Sequence, residues 1–395
     1  MSLQLRWAVT GVLVLMGLGG CVGRELVGVT GSGGEITCMD PTPCSLLNET
    51  APEEPIDPRE FELTPLRCEV QMPTPGACDR LFTDSAVGIV TGCDDTISLG
   101  PSTFFGMELS CARITLELEA GAVVELRDSV IRDTEIELRG GPGSVLRLVG
   151  SQGDRVRLRS FGQAWIEVLE SNTFDDLQVL VDERVEGRAV LFSESSIRGL
   201  AVRTGLRGTV RFERTSAAEG AIDVGELIAD ESTFFDVDLK ADHALLAVAG
   251  FEQAQLWLGA GTIVSGALLD STVHRCGALR LVEASMELSH LRACDTPTEF
   301  VGGSVVDSTV RGGVVTDGSA FISSVFAGGP EELRFGSSLV NMSTFCGETH
   351  VVGNGGSILC AGCEPEVRSA MLEGTVVSAP QCPSLEAAAP PESRR

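Results

Sequence analysis

The sequence predicts an all-β solenoid, a chain wound into stacked coils of about twenty residues. Three observations carry that reading. Short segments alternate strictly between apolar and polar residues, a hydroxyl-bearing turn recurs through the body, and no stretch sustains helical spacing over three turns.

The alternating segments come first. Ile114-Thr115-Leu116-Glu117-Leu118, Ile136-Glu137-Leu138, Leu146-Arg147-Leu148, Val156-Arg157-Leu158 and Ile166-Glu167-Val168 each place every second side chain on one face, the pattern of a half-buried strand. Similar segments follow at Val210-Arg211-Phe212, Val237-Asp238-Leu239, Leu256-Trp257-Leu258 and Leu279-Arg280-Leu281.

The recurring turn overlies them. Asp128-Ser129-Val130-Ile131, Ser171-Asn172-Thr173-Phe174, Glu231-Ser232-Thr233-Phe234, Asp270-Ser271-Thr272-Val273, Asp307-Ser308-Thr309-Val310 and Met342-Ser343-Thr344-Phe345 all lead a small polar residue into an apolar strand. Weaker copies stand at Ser196-Ile197, Ser216-Ala217, Ser285-Met286, Ser324-Val325 and Ser369-Ala370. Small hydroxyl residues suit inward stacks at the corners of coils, where each bonds to the rung above or below.

A rival arrangement is an antiparallel meander of hairpins turning at Gly140-Gly141-Pro142-Gly143 and Gly150-Ser151-Gln152-Gly153-Asp154. Charge separates the two, because stacked neighbours favour opposite signs. The outward strand centres run Glu117, Glu125, Glu137, Arg147, Arg157 and Glu167. Consecutive pairing sets Glu117 on Glu125, Glu125 on Glu137 and Arg147 on Arg157. Skipping one strand joins Glu125 to Arg147, Glu137 to Arg157 and Arg147 to Glu167, with only Glu117 against Glu137 repulsive. The coil is favoured.

Coils of this length with irregular loops and Ser, Thr or Asn corners resemble the right-handed parallel β-helix of pectin-lyase-like secreted proteins, over residues 113–352. That resemblance implies a polysaccharide lyase or glycoside hydrolase as the alternative function, with calcium held on stacked carboxylates and an arginine or lysine as base. Asp175, Asp176, Asp236 and Asp238 are the candidate calcium positions. None has a convincing base beside it, and His243, His274, His290 and His350 are scattered, so no catalytic residue is assigned.

Met1 to Gly20 carries Arg6, an apolar run from Trp7 to Met16, and the small-residue end Leu18-Gly19-Gly20-Cys21. This is the plan of a secretory signal, shorter than the roughly 20 apolar residues of a spanning helix. Its end resembles the bacterial lipobox. The resemblance implies cleavage before Cys21, acylation of that cysteine and anchorage in a membrane, with Val22 in place of Asp favouring the outer membrane. Residues 21–60, rich in Gly, Pro and acids, read as a tether. Residues 61–112 read as a Cys-rich cap, residues 353–385 as a second Cys-containing cap, and residues 386–395 as a disordered tail.

Of thirteen cysteines, twelve remain once Cys21 is acylated. In an exported chain these predict disulfides among Cys38, Cys44, Cys68, Cys78, Cys93, Cys111, Cys276, Cys294, Cys346, Cys360, Cys363 and Cys382. Cys276 and Cys294 stand about one coil apart. Cys360-Ala361-Gly362-Cys363, with Cys346, His350 and Cys382 nearby, has the wrong spacing between pairs for a common zinc ribbon, so no metal is assigned.

A net charge of −27 with a single lysine, Lys240, excludes nucleic acid as a partner and excludes electrostatic adhesion to anionic lipid. Trp165 and Trp257 alternate with inward residues and so face outward, as platforms for a sugar ring. The expected function is a noncatalytic surface lipoprotein whose β-helical face serves adhesion, envelope assembly or glycan contact.

Overall fold

The computed structural model describes residues 65–68, Cys78, Phe82 and, with short breaks, residues 88–369. The signal, Cys21, the tether, Cys38, Cys44, Cys382 and the C-terminal tail lie outside the described residues. The body is a parallel β-solenoid of about 13 turns of ~19 residues. Strand pairs among the described residues run parallel, and consecutive strands of a coil pair with the next coil rather than with each other, which removes the meander.

Each coil contributes to three ladders. The first face begins with Ile89–Thr91 on Glu108–Ser110, the second with Asp94–Leu99 on Arg113–Leu118, and the third with Ser102–Phe105 on Val123–Arg127. The longest strands, Ser216–Asp230 and Thr233–Ala247, run through all three faces. Alternation explains the interior. On the second face Ile114, Ile136, Leu158, Val179, Val202 and Ile222 stack rung upon rung, then Leu239, Leu256, Val273, Leu291 and Val310 continue the same column. All are buried. Side chains of different size are reconciled between faces. The coil carrying inward Ala217 and Ala229 is filled by Phe212 from below and Phe234 from above, which meet edge to face at 5.2 Å.

The first and second faces meet at one corner and the third and first faces at another, each turned by a residue in the left-handed region. Twenty such residues among those described are not glycine, including Asp128, Glu194, Arg214 and Glu231 at one corner and Asp133, Arg155, Asp270 and Asp307 at the other. The recurring tetrapeptide is therefore a corner: a left-handed residue, an inward hydroxyl, an outward residue and an inward apolar one. Its hydroxyl does double duty. Ser271 Oγ donates to the Leu269 carbonyl at 2.8 Å and accepts from Ala254 N–H at 3.1 Å on the coil before. Ser289 does the same for Ser271, and Ser308 for Ser289.

The register corrects two expected contacts. Coils in this region rise by 22 residues, from Ile114 to Ile136 to Leu158. Glu137 is therefore level with Arg159, Arg157 with Glu135, and Glu117 with Arg139, so neither a Glu137/Arg157 pair nor a Glu117/Glu137 clash exists. The Glu125–Arg147 and Arg147–Glu167 pairs form, at 3.5 and 2.8 Å.

The boundaries of the solenoid also differ from 113 and 352. Coils begin at Ile89, because Asp95-Thr96-Ile97-Ser98-Leu99 alternates like the later strands. They continue through Ser357–Cys363 and Arg368–Ser369. Cysteines fasten the N-terminal coils rather than replace them. Cys68 is bonded to Cys111 and Cys78 to Cys93, while helical Cys78 and Phe82, four residues apart, are buried together and Phe82 meets Phe104 edge-on at 4.9 Å.

Candidate functional site

The candidate site is a trough on the third face, in a stretch of short coils. From Ser216 to Thr233 and from Thr233 to Gly250 the rise is only 17 residues. Glycine makes that closure sterically available. A Cβ on Gly225 would lie 2.1 Å from the Leu206 carbonyl oxygen, and one on Gly277 2.2 Å from that of Gly259. At Gly225, Gly259 and Gly277 the corner between second and third faces is a tight turn, and the first loop to reach the trough is the one carrying Thr296 and Pro297.

Register then builds the trough. His243, Ala260 and Ala278 form one outward column; Leu245, Thr262, Arg280 and Glu299 form the next. Small Ala260, Thr262 and Ala278 make the floor. At one end stand Glu226, His243 and Leu245; at the other, Arg280 and Glu299, paired at 3.3 Å, close a space of about 390 Å³. Glu226 accepts a hydrogen bond from Thr209 Oγ1. The loop before Glu299 is held to the preceding coil by the buried Cys276–Cys294 disulfide, whose residues also face each other in parallel register.

The spacing of the acids limits the chemistry. Glu226 and Glu299 lie four rungs apart along the ladder, or about 19 Å at about 4.8 Å per rung. Paired glycosidase carboxylates stand within about 9.5 Å. Arg280, the nearest cation, is engaged by Glu299.

The sequence-expected residues are dispersed around this trough. Trp165 lies on the third face, far earlier in the coil order, with the Arg188 guanidinium 4.9 Å from its ring centroid and its buried Nε1 without a hydrogen-bond partner among the described residues. Trp257 lies on the second face between buried Leu256 and Leu258, stacked on His274 at 4.7 Å and 13°. His274 bonds Gln255 Oε1 through Nε2; burial, then Arg292, lowers its pKa to about 4. His243 lines the trough; His290 is on the second face; His350 begins a late strand. Cys346, Cys360 and Cys363 lie in late strands.

The four aspartates do not converge. Asp176 and Asp236 turn corners, Asp175 is level with Arg198, and Asp238 is buried on the second face. Among the described residues, three close metal-capable side chains meet only at Cys78, Cys93 and Asp95, where both thiols are in a disulfide.

Sequence reasoning missed the trough because it assumed a uniform coil. A spacing of 17 relates His243 to Ala260, and a spacing of 18 relates Ala260 to Ala278; that shortening was the available signal. No protein-family model and no curated protein matches the chain.

Proposed function

We propose that the chain is a noncatalytic surface lipoprotein of the bacterial envelope, anchored through Cys21 in the outer membrane and presenting its solenoid for adhesion and glycan contact. The observation that carries this reading is the trough itself. It is a shallow, small-residue floor of oligosaccharide size whose two terminal carboxylates are about 19 Å apart and whose arginine is tied in an ion pair. Such a surface holds a ligand without supplying a general acid and base to one bond. The ion pairs elsewhere support the same view, since the exterior acids of the early coils are engaged by arginines.

The test uses full-length protein in detergent and a panel of neutral and acidic polysaccharides, with and without calcium. Binding without new reducing or unsaturated ends is expected, and Ala260→Arg in the trough floor should weaken binding of neutral chains at least tenfold. Turnover that disappears in Glu226→Gln or Glu299→Gln would replace this reading with the lyase or hydrolase. Labelling with radioactive palmitate, lost in Cys21→Ala, tests the anchor.

A further inference from the structure

The trough carries a charge that its floor does not explain. Among the described residues that line or rim it, four are carboxylates and one is a guanidinium. Glu226 and Glu299 close its ends, and Arg280 is taken up by Glu299 at 3.3 Å. The other two acids come from the corner between second and third faces, where Asp242, Gly259, Gly277 and Asp295 occupy successive rungs. Asp242 precedes His243 as Gly259 precedes Ala260 and Gly277 precedes Ala278, and the Asp295 N–H bonds the Cys276 carbonyl at 2.8 Å. Asp242 and Asp295 therefore stand three rungs apart, about 14 Å, on either side of two residues without side chains.

That bare rim leaves the acids within reach of anything in the trough. A Cβ on Gly259 would lie 2.5 Å from the Asp242 carbonyl oxygen, and the position of a Cβ on Gly277 is 3.9 Å from Oδ2 of Asp295, so an Asp295 carboxylate oxygen hangs beside an empty position. Both aspartates are exposed, and among the described residues neither side chain makes an ion pair or hydrogen bond. In the early coils Glu125, Glu135 and Glu167 are each held by arginine. The floor sets the shape of what fits. Backbone groups of its strands are spent on the ladder between rungs, so an extended peptide finds no strand edge to join. A sugar brings its own polar groups outward and lays C–H surface on Leu245, Ala260, Ala278 and Pro297.

We propose that the trough binds a cationic glycan, a chain of sugars with free amines, laid along the solenoid axis with its ammonium groups on Glu226, Asp242 and Asp295. Ammonium–carboxylate hydrogen bonds are charge-assisted, and a cleft bordered by one sign of charge concentrates the opposite one. This proposal rests on the glycan-contact reading and names the class of glycan that the same trough selects.

Calorimetry on full-length protein in detergent tests it, with a glucosamine oligosaccharide, its fully N-acetylated form and an oligolysine, at low and high salt and at a pH that keeps the sugar amines charged. The wild type should bind the amine form about tenfold more tightly than the acetylated form at low salt, and high salt should collapse that preference. Asp242→Asn with Asp295→Asn should erase most of the preference while acetylated-sugar binding and the melting temperature hold, because both side chains are exposed and unpaired. Equal affinity for the two sugars, or an unaltered preference in the double variant, overturns the proposal. Oligolysine binding as tightly as the amino sugar also overturns it and makes the partner a basic peptide. If the acetylated sugar binds, Ala260→Arg abolishes that binding and the amine adds nothing, the glycan-contact reading survives the failure; if neither sugar binds, both fall. Should the double variant melt early, Asp295→Asn alone decides, with about a threefold loss of preference expected and no loss overturning the proposal.

Discussion

The early coils, Val123–Arg127 to Gly208–Glu213, and the later ones, from Ser216–Asp230 to Val314–Asp317, share one interior and differ in almost everything outside it. Early coils rise by 20 to 24 residues and later ones mostly by 17 to 19. The early exterior is cross-linked by charge: Arg147 bridges Glu125 and buried Glu167, Arg188 reaches Glu167 and lies over Trp165, and corner residues Arg155 and Asp133 form two short bonds. The later ion pair Arg280–Glu299 is by contrast exposed on both sides. The polar ladder also changes corner. It occupies the turn between third and first faces at Ser129, Ser151 and Asn172, then the turn between first and second faces at Ser271, Ser289 and Ser308. The aliphatic column is therefore the constant requirement of every coil, while perimeter and surface are free to specialise: charge pairs in one region, an open trough in the other.

The sharpest way to break this comparison is at the corners. Gly225→Ala forces a Cβ to within 2.1 Å of a backbone oxygen and should destabilise by about 3 kcal/mol or more. In an early coil, Gly141→Ala meets only the Ala120 Cβ at 3.4 Å and should change stability by less than about 0.5 kcal/mol. Urea melts of the two variants measure this. Equal effects would mean that the short coils are not held by close glycine corners.

The serine ladder comes next. Ser289→Ala removes the acceptor of the buried Ser271 N–H and should cost about 1–3 kcal/mol, with faster amide exchange at Ser271. Ser151→Ala should act alike at the other corner through Ser129 N–H. A neutral result at either position would reduce its hydroxyl to a space filler.

These positions also show what the sequence made legible. Alternation at Ile136-Glu137-Leu138 and the Ser-Thr turns were sufficient for the solenoid, because both depend on local geometry repeated at every rung. Register was legible only in part. The Glu125, Arg147 and Glu167 pairs followed from a twenty-residue coil, but Arg157 was matched to the wrong acid because coil length there is set by the Gly140-Gly143 loop. The tetrapeptides gave one apparent repeat although they turn two different corners, and no single-sequence pattern separates those. The trough arises between residues 17 to 19 apart, from small side chains whose adjacency appears only once the register is known.

Charge gives a smaller contrast. Arg147→Gln leaves Glu167 with Arg188 alone and should cost about 1–2 kcal/mol, less than a fully buried pair because Arg147 is 33% exposed. Arg280→Gln, in a pair 54% exposed on both sides, should cost no more than about 0.5 kcal/mol, and that loss should vanish in high salt. Denaturation of both variants at two ionic strengths would expose a wrong assignment if Arg280 proved the costlier.

The smallest effect distinguishes the two tryptophans of the solenoid, Trp165 and Trp257. Trp165 is covered by the Arg188 guanidinium, and Trp257 by an imidazole whose folded pKa is pushed down to about 4 by burial and Arg292. Because the unfolded histidine protonates near 6.5, the unfolded chain holds more protons between those values, and His274 makes stability fall as pH drops from about 6.5 toward 4. Protonation also turns a ring stack into a cation over an indole. In a Trp165→Phe background, Trp257 emission should therefore titrate near pH 4, and Arg292→Gln should move that midpoint upward by removing a neighbouring positive charge. A midpoint at 6.5, unmoved by the substitution, would place His274 in open solvent, away from Trp257 and Arg292.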